Sequence, residues 1–333
     1  MKDALPPVPR SRRRRTTGFT AGAVAVAAFA TVFVTAPSRP STPSKPSTPS
    51  RPSPSSPSPS SPASEPSAPR PLDQDAKAPG NRWIRSAGAP LTVFAHRGAS
   101  SAAPENTLVS DEVARRGGAQ WIENDVQPSE DGVPYVLHDA TVDRTTDGTG
   151  PIRSLTSAQL DALDAGSWFA PAYAGTRVPT LAAQLADLRE RGGGMLLEIK
   201  GRHSRAEVDR IVREVREQDM TGRVFVQSFD VPSLRYAHEL APELPLGLLR
   251  DTLDADPVAL AEELDLTAYN VSHVALAQRP EVVGALHAAG VAVNVWTVDT
   301  PVRWKAMDDL GVDGIITNRP TELGGWTAGR SAG

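Results

Sequence analysis

The stretch WIENDVQPSEDGVPYVLHD, residues 121–139, decides how this chain folds. Its opening, Trp121–Val126, and its close, Pro134–His138, both read as short strands rich in aromatic and β-branched side chains. Only seven residues lie between them, Ser129, Asp131 and Gly132 included. A parallel crossover needs about a dozen residues or more, so the second strand must return antiparallel, as a hairpin. With the turn centred near Ser129–Asp131, His138 falls across from the neighbourhood of Glu123.

Working outward, the same kind of short apolar run recurs at Val93–Ala95, Met195–Ile199, Val224–Ser228, Leu246–Leu249, Ala268–Val271, Val291–Trp296 and Ile315–Thr317. Amphipathic stretches alternate with these runs, at Thr107–Arg116, Leu181–Arg191, Arg205–Gln218, Val231–Leu240, Pro257–Glu263, Pro280–Ala289 and Pro301–Leu310. Thr156 and Gln159 have the spacing of a capping box, which predicts one more short helix through Leu163. Once the hairpin strand is set aside, eight parallel strands remain across residues 90–326, the length of one β/α barrel. The expected fold class is therefore α/β: a TIM (β/α)8-like barrel with an extra hairpin strand and a small insertion after it, about Ala140–Val178.

The segments before the barrel have a different character. Arg10 and Arg12 to Arg15 precede an uncharged Ala/Val-rich stretch of 19 residues, Gly18 to Ala36, in the charge-then-apolar order of an export signal. That stretch suits cleavage after Ala36 and retention as a membrane anchor alike, so residues 1–36 are expected to export the chain, either secreted or held on the outer face of the cytoplasmic membrane. Residues 37–71 contain 13 Pro and 13 Ser, too little apolar surface to offset their ordering entropy. We therefore expect a disordered linker over 37–89, the barrel over 90–326, and a tail over 327–333. The chain has no cysteine, which excludes disulfides, a thiol nucleophile and a lipoprotein anchor. Its net charge of -4 conceals +5 in residues 1–36 and +3 in 37–71, leaving -12 for the rest. Such a domain is a poor match for nucleic acid, whereas a small phosphate ester held through a metal ion remains compatible.

Chemistry concentrates where the strands end. His96 and Arg97 close the first strand, and Glu123 and Asp125, two apart on the next, point the same way. Glu198 and Lys200 share a side of the strand that follows, so three carboxylates from adjacent strands can converge. Converging carboxylates repel unless a cation sits among them, and an all-oxygen set suits Mg²⁺ or Ca²⁺ better than zinc. Arg97 and Lys200 then suit the non-bridging oxygens of a phosphate, and His96 and His138 are free to move protons near neutral pH.

These residues resemble a known family in both order and spacing. His96-Arg97-Gly98, Pro104-Glu105-Asn106-Thr107, Glu123-Asn124-Asp125-Val126, Asp131-Gly132, His138-Asp139 and Arg144-Thr145-Thr146 are similar to motifs of the glycerophosphodiester phosphodiesterases. The likeness continues through Glu198-Ile199-Lys200, Gln227-Ser228-Phe229, Trp296-Thr297 and Gly314-Ile315-Ile316-Thr317, and so spans residues 91–320. It implies metal-dependent hydrolysis of a small glycerophosphodiester to glycerol 3-phosphate and an alcohol. His96 and His138 would be the acid/base pair, Glu123, Asp125 and Glu198 would hold the divalent cation, and Arg97, Lys200, Gln227 and Trp296 would contact substrate. Two positions depart from the usual pattern: Asn124, where an apolar or small residue is commoner, and Asn318, where Asp is usual. Glu105 suits orienting His96 or Arg97, but with Asn106 as cap it also suits a helix start; Gln227 equally suits a hydrogen bond that orders the mouth, and His203, His238, His273 and His287 read as surface or packing residues. Two competing readings are a phospholipase D-like activity on lysophospholipid or sphingomyelin, and a surface-binding module without catalysis.

Overall fold

The computed structural model describes residues 80–331. The signal or anchor reading of residues 1–36 and the linker reading through residue 79 lie outside the described residues.

The chain runs β1 (Thr92–His96), α1 (Leu108–Arg116), β2 (Trp121–Pro128), β3 (Pro134–Val136), α2 (Ser157–Ala162), α3 (Leu181–Arg191) and β4 (Gly194–Ile199). It continues α4 (Arg205–Glu217), β5 (Val224–Ser228), α5 (Val231–Leu240), β6 (Leu246–Arg250), α6 (Pro257–Glu263) and β7 (Ala268–Ser272). The last turns are α7 (His273–Leu276), α8 (Val282–Ala288), β8 (Ala292–Trp296), α9 (Pro301–Asp309), β9 (Gly314–Thr317) and α10 (Pro320–Ser331). Sheet order is β1-β9-β8-β7-β6-β5-β4-β2, and parallel pairing of β1 with β2 closes eight strands into a barrel. β3 stands outside the ring, antiparallel on the far end of β2, with Val126 opposite Val136 and Pro128 opposite Pro134. The expected hairpin is present, and Leu137 N still donates to Asp125 O at 2.9 Å, which carries His138 to the mouth.

Local chemistry explains the helix starts. Thr107, Thr156 and Ser204 each cap a helix with a reciprocal box, and Thr180 and Asp230 cap α3 and α5 by accepting from the third residue of each. The cap of α1 is Thr107, not Asn106. Asn106 sits one residue earlier in a left-handed conformation, φ 57°, and its buried amide serves the site instead.

The main core lies between the strands' outer faces and the helices, with Ile122, Val126, Leu185, Leu188, Val212 and Val226 among its buried members. A second cluster fills the barrel floor, where Phe94, Trp121, Leu196 and Phe225 meet. The insertion has a small core of its own around Tyr135, Val142, Ile152 and Leu160.

Three stretches differ from the sequence-based expectation. Residues 81–85 do not belong to a linker: the Trp83 ring plugs the floor, 4.5 Å from Phe225 and 4.8 Å from Trp121 between centroids. Asn81 Nδ2 bonds Thr267 O at 2.6 Å, and Arg85 N bonds Asp313 Oδ1 at 2.9 Å. These contacts bury an aromatic side chain that a linker would leave in water. The expected tail from residue 327 is instead the end of α10, whose Trp326 packs on Trp304. α7 is a single turn directly after β7 that apolar periodicity does not announce.

Candidate active site

The barrel register brings the acidic residues together. Strand pairing sets His96 beside Glu123, Asp125 beside Glu198, and Glu198 beside Gln227, with His96, Glu198 and Gln227 near the C-terminal ends of their strands and Glu123 and Asp125 in β2 just before its hairpin extension. One oxygen from each of Glu123, Asp125 and Glu198 lies within 4.8 Å of the others, and all three residues are buried. After His96 the chain turns through two left-handed residues, Arg97 at φ 56° and Gly98 at φ 79°. A side chain at Gly98 would overlap Ser110 Oγ, so this turn requires glycine. Its strained geometry aims Arg97 N at Glu123 Oε2, 3.1 Å away.

Charge in this cluster is strongly perturbed. Burial, together with repulsion from Asp125 and Glu198, raises Glu123 well above the usual carboxylate range. Burial and Asp125 likewise push Glu198 up to about 7. Burial acts on Asp125 too, but Lys200 and Arg97 outweigh it and hold Asp125 down at about 2. Lys200 Nζ lies 2.9 Å from Glu198 Oε1 and 3.4 Å from Asp125 Oδ1. Buried carboxylates that repel one another call for a positive charge between them. A single cation with oxygen bonds of roughly 2.0–2.6 Å spans this separation, and the all-carboxylate donor set suits a hard divalent ion. Arg97 Nε, buried and without a hydrogen bond, lies 3.5 Å from Asp125 Oδ2, which leaves a donor at the cluster's edge for an anionic ligand. The residues thus fit a divalent cation and an anion beside it.

The two imidazoles have different partners. His96 Nδ1 is 2.7 Å from Asn318 Oδ1, and Asn318 Nδ2 donates to Asp299 Oδ2 at 2.7 Å. The Asp299 carboxylate accepts only, so the amide oxygen must face the ring and His96 Nδ1 must carry the proton. Nε2 therefore presents its lone pair to the site, 4.0 Å from Glu123 Oε2. Burial, then the nearby Arg97, lowers this ring to about 4. His138 Nδ1 instead meets a carboxylate, Asp139 Oδ1, at 2.7 Å. Arg144 clamps that carboxylate at 2.6 and 3.1 Å and holds Glu105 through two further bonds of 2.8 Å. Glu105 in turn receives Arg97 Nη1 at 2.8 Å, so one chain of ion pairs ties the insertion to the turn after β1. Burial disfavours the Glu105 charge, yet Arg144 and Arg97 together lower its pKa, which makes it an orienting partner of Arg97 rather than a helix-start residue.

Above the carboxylates opens a cleft of roughly 270 Å³ that both histidines, Arg97, Lys200, Gln227 and Trp296 line. Trp296 Nε1 bonds Asn270 O at 3.1 Å and its ring meets Phe229 edge-on at 5.5 Å, which leaves an aromatic wall on the mouth. Gln227 is buried with both ends engaged, donating to Glu123 Oε1 at 3.3 Å and accepting from Asn270 Nδ2 at 2.9 Å. Its bonds serve Glu123, and a substrate contact by its amide requires that one of them give way.

The model of the glycerophosphoryl diester phosphodiesterase family matches residues 96–322. The chain belongs to this family. A glycerophosphodiester phosphodiesterase of Caldanaerobacter subterraneus subsp. tengcongensis is 36% identical over 234 residues, 69% of this chain and 95% of the relative. A phosphodiesterase of Oleispira antarctica, solved in complex with the product sn-glycerol-3-phosphate, is 30% identical with a TM-score of 0.68, covering 72% of this chain and 97% of that one. The glycerophosphodiester phosphodiesterase of Agrobacterium tumefaciens is 33% identical with a TM-score of 0.63, covering 72% and 99%.

In this family member, all nine residues singled out from sequence meet at one mouth, Asp125 just beneath the cleft lining. Sequence reasoning missed the partners that orient them. Asp139 and Arg144 were only letters of a motif, and Asn318 only a departure. Asn270 and Asn294 had a signal of their own, a lone amide in the middle of an otherwise apolar strand. Asn124 points away from the mouth as expected, bonding Asn106 and Gln184 behind the sheet. Of the remaining histidines, His203 is buried, His273 bonds Trp296 O at 3.1 Å and His287 bonds Asp313 at 2.8 Å; none lines the cleft.

Proposed function

We propose that this chain hydrolyses glycerophosphodiesters, such as glycerophosphocholine, to glycerol 3-phosphate and a free alcohol, with Glu123, Asp125 and Glu198 holding Ca²⁺ or Mg²⁺. The observation that carries the reading is the buried carboxylate triad flanked by two imidazoles with opposite partners. When bound, the cation withdraws charge from the phosphoryl oxygens. Arg97 and Lys200 orient the non-bridging oxygens, and Glu105 keeps the Arg97 fork in place. His96 Nε2, with its lone pair free, takes the proton of the attacking hydroxyl as the new O–P bond forms; water gives glycerol 3-phosphate directly, whereas the substrate's own glycerol hydroxyl gives a cyclic phosphate that a water must then open. His138, whose Nδ1 bonds Asp139 Oδ1, gives the Nε2 proton to the departing alkoxide as the old P–O bond breaks.

The test is release of glycerol 3-phosphate from glycerophosphocholine by purified protein, before and after chelation and with Ca²⁺ or Mg²⁺ restored. His96→Ala and His138→Ala are expected to lose about 100-fold or more in kcat while cation affinity, measured by calorimetry, stays near that of the parent. Chelator-resistant turnover removes the metal from this reading, and near-normal turnover by either histidine variant removes the acid/base roles. A lysophospholipid serves as the comparison substrate, because the aromatic group Trp168, Phe169 and Tyr173 joins the loop after β1 through Tyr173 Oη and Ala102 O at 3.0 Å.

A further inference from the structure

Two files of side-chain amides end on the carboxylate cluster, one on each face of β2. Inside the barrel, Asn294 Nδ2 donates to Asn270 Oδ1 at 2.9 Å, Asn270 Nδ2 to Gln227 Oε1 at 2.9 Å, and Gln227 Nε2 to Glu123 Oε1 at 3.3 Å. Behind the sheet, Gln184 Nε2 donates to Asn124 Oδ1 at 2.8 Å, Asn124 Nδ2 to Asn106 Oδ1 at 3.2 Å, and Asn106 Nδ2 to Asp125 Oδ2 at 2.9 Å. The same Gln184 nitrogen also meets Asp111 Oδ2.

The direction of each file is forced. When ionised, as the metal reading requires, Glu123 and Asp125 accept only, so the amide that touches each must present nitrogen, and each following amide is then fixed in turn. Asn106 is fixed twice over, because its Oδ1 also accepts Asp125 N at 3.2 Å. Both files therefore point their N–H ends at a carboxylate, and their aligned dipoles favour its charge. Every amide named is buried, where an unpaired polar group is costly, and among the described residues Gln184 Oε1 and Asp111 Oδ1 are the ends left without a hydrogen bond. The neighbouring strands leave room for them: a Cβ on Gly247 would lie 2.6 Å from Asn270 Nδ2, and one on Gly314 would overlap Asn294 Oδ1.

We infer that these two files are a positioning device for the cation site, so that Asn124, Gln184 and Asn270, none of which reaches the cleft's centre, set how tightly a divalent ion is held. Gln227 and Asn106 are the contact residues of the device, and the other amides act through them. The inference rests on the metal reading of the proposed function. Loss of an outer partner that orients a ligand typically weakens metal affinity about 10-fold or more.

Calorimetry of Ca²⁺ and Mg²⁺ binding to the full chain tests it, with melting temperature followed in parallel. Asn124→Leu and Asn270→Leu fill the same volume without a polar end, and Asn124→Ala and Asn270→Ala stand in for any leucine variant that fails to fold. Leu185→Ala, beside Gln184 on α3 and buried in the main core, is the stability control. Each amide variant is expected to bind about 10-fold more weakly, and the control within about 2-fold of the parent. Combining Asn124→Leu with Gln184→Leu should cost no more than either alone, since both break one file, whereas Asn124→Leu with Asn270→Leu should multiply. Amide variants that bind within 2-fold of the parent, or a control that loses as much affinity as they do, overturn the inference while leaving the metal reading intact. A parent that binds neither ion overturns both.

Discussion

Asp111→Asn should change how stability depends on pH. Asp111 lies on the first turn of α1, fully buried, and burial pushes its carboxyl from 3.8 up to about 8, with repulsion from Asp187 adding to the shift and the Asn124 and Gln184 amides opposing it. The folded pKa stands above the unfolded one, so between them the native state keeps a proton that the unfolded chain has released. Stability then falls as pH rises, by about 1.4 kcal/mol per unit, and is fully depressed once pH passes about 8. Between pH 5 and pH 8 this single group removes roughly 4 kcal/mol, a large share of a typical stability of about 5–15 kcal/mol. Asparagine at 111 does not titrate, and its oxygen can still accept from Gln184 Nε2, so the file behind the sheet survives. Burying the new amide nitrogen imposes a constant cost of about 1–3 kcal/mol, which displaces the curve without tilting it. Chemical denaturation of both proteins at pH 5, 6, 7 and 8 should show the difference between them moving in favour of the variant by several kcal/mol. Parallel curves would refute the reasoning, because they would mean that Asp111 is ionised in the folded protein over the whole range.

Two further perturbations follow from the same geometry. Asn318→Asp replaces a neutral acceptor 2.7 Å from His96 Nδ1 with a charged one, so the imidazolium is favoured and the acid limb of kcat/KM should move up by about 1–2 pH units; an unmoved limb would separate the ring from the rate. Trp83→Ala empties the plug of the barrel floor and should cost about 3 kcal/mol, seen as a melting temperature lower by roughly 6–12 °C with cation affinity unchanged, and an unaltered melting curve would mean that residues 81–85 contribute nothing to the fold.

The barrel was legible because its strands are short apolar runs and several of its helices carry their starts in Thr156, Thr180, Ser204 and Asp230. The hairpin was legible from loop length alone. What escaped depends on contacts that sequence distance hides. Trp83 sits in a stretch without periodicity, and the groups that hold its segment, Thr267 and Asp313, are 186 and 228 residues from their partners. α10 contains Gly324, Gly325 and Gly329, which lower helix propensity, and its packing on β1 and α9 outweighs that deficit. At the site, strand ends announced which side chains would gather but not which atoms would face one another. Asn106 looked like a helix cap because the residue type suits a cap, and only its left-handed backbone and its bond to Asp125 reveal the other use. Gln227 looked like a substrate contact because it ends a strand at the mouth, yet Glu123 and Asn270 already occupy both ends of its amide.

Charge at the mouth ties these observations together. Glu105, Glu123, Asp125, Asp139 and Glu198, with Asp251 on the cleft wall, carry more negative charge when ionised than Arg97, Arg144 and Lys200 can balance. That excess favours a cation, and under the metal reading Glu123 and Glu198, raised by burial and by the charge of Asp125, would release protons to receive one. A bound phosphodiester adds one more negative charge, and Arg97 and Lys200 line the cleft where it would lie. The two imidazoles face that site with different partners. Asn318 offers His96 a neutral oxygen and gives an imidazolium little support, whereas Asp139 offers His138 a carboxylate that Arg144 keeps ionised. Under the proposed mechanism that difference gives His138 the place of the proton donor and His96 that of the acceptor.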